Sequence, residues 1–232
     1  MINLCFMLID PPSSWDEDIE KTLSFIKSCG YGSVELNLTS GVITHLDEIE
    51  QSINCLGLSV PSFLTGSAYG DGLCLSSPNQ EVRDQTINRL ISYIDIARRF
   101  QSILVVGLLQ GLRTDEPDED IANMRIVEAL KQVGEEADMA GVDIVIEPVN
   151  HLQVGFNHSV GEVQKLIGDI DSPAIKPMVD TIHMNIEETS VIKPIYDCGD
   201  QLRHVHLCES NGGIPGTGHI DFKAVIDTLR KI

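Results

Sequence analysis

The sequence predicts an α/β chain, a (β/α)₈ TIM barrel lacking its eighth β/α unit, laid out as a single domain over residues 1–232. Three observations carry this. Short β-type runs alternate with helix-length segments from end to end, the order that builds a parallel sheet with helices on its faces. The run SILVVGLL (102–109) is apolar throughout, as a strand covered on both faces must be. The first strand-to-helix turn reads Asp10-Pro11-Pro12-Ser13, without the glycines of a dinucleotide-binding open sheet, and a seven-stranded open sheet would leave edges to cover.

The elements follow in order. The first strand is expected over about Ile2 to Leu8. Ser14-x-x-Glu17 then spaces a hydroxyl and a carboxylate so that they satisfy orphan amides at a helix start, and that helix ends at Cys29-Gly30. SVELNL (33–38) is the second strand, about Leu46 to Leu56 the second helix, stopped by Gly57, and LSVPSFL (58–64) the third strand. Ser77-Pro78-Asn79-Gln80 joins an N-cap, a proline suited to the first helical position and a capping-box partner, and opens a long helix to about Phe100. After SILVVGLL, residues 117–141 carry helical periodicity and end at Gly141. VDIVIE (142–147) is the fifth strand, Ser159-x-x-Glu162 opens the fifth helix, and AIKPMVD (174–180) is the sixth strand. Pro177 removes a ladder donor, so either the paired strand begins at Met178 or a bulge sits there. A weak helix around Val191 to Cys198 is interrupted by Pro194, and LRHVHL (202–207) with a helix from Asp221 to Ile232 completes the seventh unit. The last helix stops on Lys231-Ile232 without a glycine cap, so the chain is expected to be C-terminally incomplete, the natural protein continuing into an eighth strand that bears a glutamate.

Composition narrows the function. Sixteen Lys and Arg against thirty-five Asp and Glu give a net charge of −19, which repels nucleic acid and acidic membrane surfaces. No apolar run approaches the ~18 residues that cross a bilayer, and the opening MINLCFMLIDPP has neither a basic n-region nor a small-residue cleavage site. A cytoplasmic protein is expected. Cys5, Cys29, Cys55, Cys74, Cys198 and Cys208 form no Cys-x-x-Cys pair and sit mostly in or beside apolar runs, as buried thiols do in a reducing compartment.

Three β-type runs end in metal-compatible side chains, IVIE at Glu147, KPMVD at Asp180 and LRHVH at His206. In a parallel sheet the strand ends lie on one side, so two carboxylates and an imidazole should converge there as a divalent-metal site. Without thiolates such a set suits Mn²⁺, Mg²⁺ or Co²⁺ rather than a structural zinc. His204 and His206 share a strand face. His204 is assigned the role of a satisfied interior residue and His206 that of the ligand. Glu35 in the second strand is expected to bind a sugar hydroxyl, to orient a ligating imidazole, or simply to line the barrel paired with a buried polar group. The segment GGIPGTGHID (212–221) falls where many barrels bind phosphate, but lacks phosphate-loop spacing.

IVIEPVN, MVDTIHMNIEE and HVHLCESNGGIPGTGHIDF together resemble the xylose isomerase-like barrel superfamily, and within it most closely the ketose 3-epimerases of the D-tagatose and D-psicose type. The resemblance covers nearly the whole chain. It implies a divalent metal, Mn²⁺ first with Co²⁺ or Mg²⁺ as alternatives, bound by Glu147, Asp180 and His206, and a substrate contact from His183; Glu35 and Glu209 are assigned as further substrate-binding residues. Three positions depart from the family pattern: Gln153 stands where a second glutamate is usual, Gly212 where an arginine is usual, and the eighth-strand glutamate that supplies the last ligand is not written.

The expected activity is that of a metal-dependent sugar isomerase or epimerase of carbohydrate metabolism. It moves a proton beside the carbonyl of a ketose, with Glu147 as the catalytic base. Its partner is a small-molecule sugar or sugar phosphate, not nucleic acid or a membrane, and a homo-oligomer stays open. The competing readings are a non-catalytic sugar- or metal-binding barrel and a dehydratase of a cyclic polyol ketone. An endonuclease acting on abasic DNA is disfavoured by the charge of −19.

Overall fold

The computed structural model describes residues 4–11 and 17–232. The expected helix start at Ser14 and the strand start at Ile2 lie outside the described residues. Seven parallel strands form one sheet in sequential order: β1 Cys5–Leu8, β2 Ser33–Asn37, β3 Ser62–Leu64, β4 Ile103–Val106, β5 Ile144–Ile146, β6 Ile175–Asp180 and β7 His204–His206. This is an α/β barrel sheet lacking one unit. The helices are α1 Glu17–Ser28, α2 Ser40–Thr44, α3 Leu46–Leu56, α4 Ser67–Gly70, α5 Gln80–Phe100, α6 Glu119–Ala140, α7 Val160–Ile170, α8 Thr181–Glu187, α9 Lys193–Cys198 and α10 Phe222–Leu229. Among the described residues, no helix is long and apolar enough to cross a membrane.

Local chemistry sets most of the helix ends. Gly57 and Gly141 close α3 and α6 in the left-handed region (φ 60° and 68°) that glycine enters without steric cost. The capping box of Ser159 and Glu162 opens α7 as its spacing requires. Asn79, rather than the expected Ser77, caps α5. Its side chain accepts from the Glu81 amide at 3.0 Å, while the Ser77 hydroxyl accepts from Asn79 N at 3.2 Å one step earlier.

Both prolines read as awkward have a place. Pro177 pairs in register with Ile146 of β5, and the ladder with β7 starts one residue later at Met178↔His204. Pro194 does not interrupt its helix. It stands in the first turn of α9, where its missing N–H has no intrahelical partner to lose. Three short helices were not expected: α2, α4, and α8, which begins on the residue after β6. The buried-thiol reading holds for Cys74 and Cys198, whereas Cys29 and Cys55 lie on outward-facing positions and are exposed.

Side-chain alternation along each strand separates two apolar layers. Val34, Leu36, Phe63, Leu104, Val106, Ile144 and Ile146 face the helices, packing with residues such as Leu23, Leu90, Leu130 and Val163. Ile103, Val105, Val145 and Met178, with Leu64 against them, fill the inner side. Each fully buried Val, Leu, Ile or Met side chain contributes about 1.5–3 kcal/mol, so the scaffold is fixed mainly by these layers. Elsewhere on the inner side the residues turn polar, with Glu35, Asp180 and His206 all buried.

Candidate active site at the strand ends

Glu147 follows β5 directly, and its backbone is held from two sides. Its amide donates to the Val106 carbonyl (2.9 Å) and its carbonyl accepts from Gln110 Nε2 (3.1 Å). Asn157 Nδ2 donates to Gln110 Oε1 and to Asn123 Oδ1, each at 2.9 Å, so a chain of amides braces the loops after β4 and β5. The Glu147 carboxylate lies against Gly107, where a Cβ would come within 2.6 Å of Oε2.

Asp180 serves two elements. It ends β6, and as the N-cap of α8 its Oδ1 accepts from the Ile182 amide at 2.9 Å. The first turn of α8 then brings His183 back beside it, with Nε2 3.9 Å from Asp180 Oδ2 and 3.9 Å from Glu147 Oε1. On the other ring nitrogen, His183 Nδ1 lies 2.7 Å from Asn150 Nδ2.

His206 ends β7 opposite Asp180 in register. Its Nδ1 is 3.0 Å from Glu147 Oε1 and 3.7 Å from Asp180 Oδ2. Its Nε2 lies 3.1 Å from Glu35 Oε2 but off-line for a hydrogen bond, and is buried without a hydrogen-bond partner. Glu35 Oε1 in turn meets His204 Nε2 at 3.2 Å. The structure therefore brings Glu147, Asp180, His183 and His206 together, with Glu35 and His204 behind them. Side-chain exposure runs from 3% at Glu35 to 16% at His204, so these charges act with little screening by water.

Among the described residues, two sets of donor atoms each lie within 4.8 Å of one another, Glu147/Asp180/His183 and Glu35/His204/His206. The first, joined by His206 Nδ1, offers carboxylate oxygens and imidazole nitrogens without a thiolate, a donor set that fits a hard or borderline divalent cation.

The fields inside the cluster are strong. Burial is the largest single influence on Glu35 and would raise its pKa, yet the hydrogen bond to His204 and the close imidazole of His206 outweigh it and hold the carboxyl well below the usual range. Burial would likewise lower His206, but the Asp180 carboxylate 3.7 Å away and the hydrogen-bonded Glu147 carboxylate hold it well above the ordinary imidazole value.

Glu209 is placed differently. Its carboxylate accepts from the amides of Ser210 (2.8 Å), Gly216 (2.9 Å) and Ile220 (3.1 Å) and from the Ser210 hydroxyl (3.1 Å). Burial opposes ionisation, but these backbone donors bring its pKa down to about 2. Its acceptor capacity goes to folding the loop after β7, with Gly218 so close that a Cβ there would meet Oε1 at 2.4 Å.

Sequence reading missed Gly107 and Asn150. Gly107 leaves no pattern in the chain, because its importance lies in what packs on it. Asn150 stands three residues after Glu147 inside IVIEPVN, and that proximity was an available signal.

The fold and the strand-end cluster define a xylose isomerase-like TIM barrel, and the family profile of that description matches residues 23–232. The chain belongs to this family. Among its relatives are an L-ribulose 3-epimerase of Mesorhizobium japonicum, 30% identical over 95% of this chain and 74% of the relative, and a D-psicose 3-epimerase of Ruminiclostridium cellulolyticum, 30% identical over 94% and 76%. A solved structure of an L-ribulose 3-epimerase superposes with a TM-score of 0.83 at 28% identity, covering 97% of this chain and 77% of that one. These relatives are epimerases, enzymes of the isomerase class.

Proposed function

We propose that the chain is a divalent-metal-dependent isomerase that transfers a proton at the carbon beside the carbonyl of a ketose, in the manner of a 3-epimerase. The observation that carries this is the convergence of Glu147 Oε1, Asp180 Oδ2 and His206 Nδ1 at one barrel rim, with separations of 3.0 and 3.7 Å from the imidazole. Its relatives named as L-ribulose and D-psicose 3-epimerases support the substrate class.

Glu147, Asp180 and His206 would hold the cation, with Mn²⁺ the first choice for this donor set. Bound there, it supplies Lewis acidity, drawing electron density from the substrate carbonyl so that the adjacent C–H becomes acidic. Glu147 takes that proton on a carboxylate oxygen, its position set by Gly107 beneath it and by the backbone bonds on either side. His183 contacts a substrate oxygen from the α8 side. Glu35 keeps His206 and His204 in place from below. Glu209 shapes the loop that borders the mouth rather than reaching substrate itself.

A second reading is a binding barrel without turnover, since epimerisation needs a second acid on the opposite face of the substrate carbon, a role that falls to the eighth-strand glutamate in the family pattern rather than to position 153. One experiment separates the two. The protein is incubated with Mn²⁺ and D-psicose, D-tagatose or L-ribulose in D₂O, and products and deuterium positions are read by NMR. Epimerisation with deuterium at C3 supports the proposal, and label at C1 or C2 makes it an aldose–ketose isomerase. Sugar binding without exchange leaves the binding barrel.

A further inference from the structure

Two imidazoles, His183 and His206, approach the same pair of carboxylate oxygens, and distance does not sort them. Hydrogen bonding does. The Leu152 amide, which can only donate, lies 3.0 Å from the Asn150 side-chain oxygen. The oxygen of that carboxamide is thereby fixed toward Leu152, and its NH₂ group faces His183 Nδ1 at 2.7 Å. An NH₂ group also only donates, so Nδ1 must accept and carries no proton. The neutral ring then carries its one hydrogen on Nε2, the nitrogen facing Glu147 Oε1 and Asp180 Oδ2.

We infer that Asn150 is a positioning residue that locks His183 as its Nε2–H tautomer, making it a hydrogen-bond donor to the substrate oxygen and excluding it from metal ligation. A cation needs a bare nitrogen. His183 could offer one at Nε2 only by moving its proton to Nδ1, which would set N–H against N–H at the Asn150 contact. Both 3.9 Å separations are too long for hydrogen bonds, so the Nε2–H remains available to an oxygen entering between the ring and the carboxylates. His206 is under no such constraint. Its Nδ1 faces two carboxylates, and no amide donor occupies it. Of the two imidazoles, His206 is therefore the one that can ligate.

This inference rests on the proposed isomerase reading for what His183 donates to, but the tautomer itself does not. The test uses the full chain labelled with ¹⁵N-histidine, and His183 signals are assigned by their loss in His183→Gln. In the metal-free wild type, long-range ¹H–¹⁵N spectra should show a bare Nδ1 and a protonated Nε2. In Asn150→Asp a carboxylate replaces the NH₂ group as acceptor, and the ring should reverse to Nδ1–H. With Mn²⁺ added, pulsed EPR should count one coordinated imidazole nitrogen in the wild type and two in Asn150→Asp. Turnover of D-psicose or L-ribulose should fall about 10- to 100-fold in kcat with KM changed less than about threefold. An Nδ1–H tautomer in the wild type overturns the inference, as do two coordinated imidazoles there or a reversed ring with unchanged kcat. If neither ketose turns over in the wild type, the isomerase reading fails while the spectra still decide the tautomer.

Discussion

Glu35 on β2 and His204 on β7 stand 169 residues apart in the chain and meet at 3.2 Å. They are not on neighbouring strands, so the contact exists only because the sheet curls until its second and seventh strands face each other across the interior. The other Glu35 oxygen reaches His206 at 3.1 Å, which ties the β7 side of the site to the opposite wall. Glu35→Gln should keep the shape and lose the charge, and Mn²⁺ affinity measured by calorimetry should drop about 10- to 100-fold. Unchanged affinity would leave Glu35 as a lining residue alone.

Asp180 and His204 should differ sharply. Asp180→Asn keeps an N-cap for α8, because an asparagine oxygen also accepts from the Ile182 amide. It removes one anionic donor facing His206 and His183. His204→Asn removes the bond to Glu35 and the edge-on ring contact with His206 but no atom facing Glu147 or Asp180. Mn²⁺ titration of both variants should show the larger loss in Asp180→Asn, and equal losses would mean that the wrong histidine of β7 was assigned as ligand.

Gly107→Ala tests how closely Glu147 is placed. Alanine at Gly107 adds a single methyl group to the turn that follows β4. Its Cβ would nonetheless sit 2.6 Å from Glu147 Oε2 and 3.1 Å from Val149 Cγ2, so the carboxylate must shift. A displacement of about 1 Å at a reacting group costs about 100-fold. A loss of that size in kcat/KM, with the far-UV CD spectrum unchanged, is the expected result.

His206 gives the metal-free protein a defined pH dependence. Its folded pKa is raised above the ordinary value of 6.5, so the protonated ring stabilises the fold fully below pH 6.5, and this contribution is lost as pH rises through the folded value. Metal-free Tm should therefore decline above pH 6.5 in the wild type and decline less in His206→Gln. Mn²⁺ must displace the same proton, so its affinity should climb with pH over that range and each binding event should release protons.

The loop after β7 should respond to acid in the opposite sense. The Glu209 pKa lies at about 2 against an ordinary 4.5, so its hold on the loop is complete above pH 4.5 and is lost as pH falls toward 2. Glu209→Gln and Gly218→Ala should both speed hydrogen exchange at residues 210–220 at neutral pH, the first by weakening the acceptor and the second by crowding it. Exchange rates equal to wild type would show that the loop is held by other contacts.

The sequence by itself determined the order of elements and the candidate ligands. Alternation of strand and helix signals requires a parallel sheet, a parallel sheet brings its strand ends to one rim, and IVIE, KPMVD and LRHVH each end in a polar residue there. The capping box at Ser159 and the glycine stops at Gly57 and Gly141 were legible because they depend on residues a few positions apart. What depends on curvature or on close approach was decided by the tertiary structure. No local pattern could place Glu35 against both β7 histidines, put Gly107 beneath Glu147, or give the oxygens of Glu209 to its own loop. The proposed choice between His183 and His206 rests on the same kind of contact, the Leu152 amide that meets the Asn150 oxygen and leaves its NH₂ group facing a ring 33 residues further along the chain.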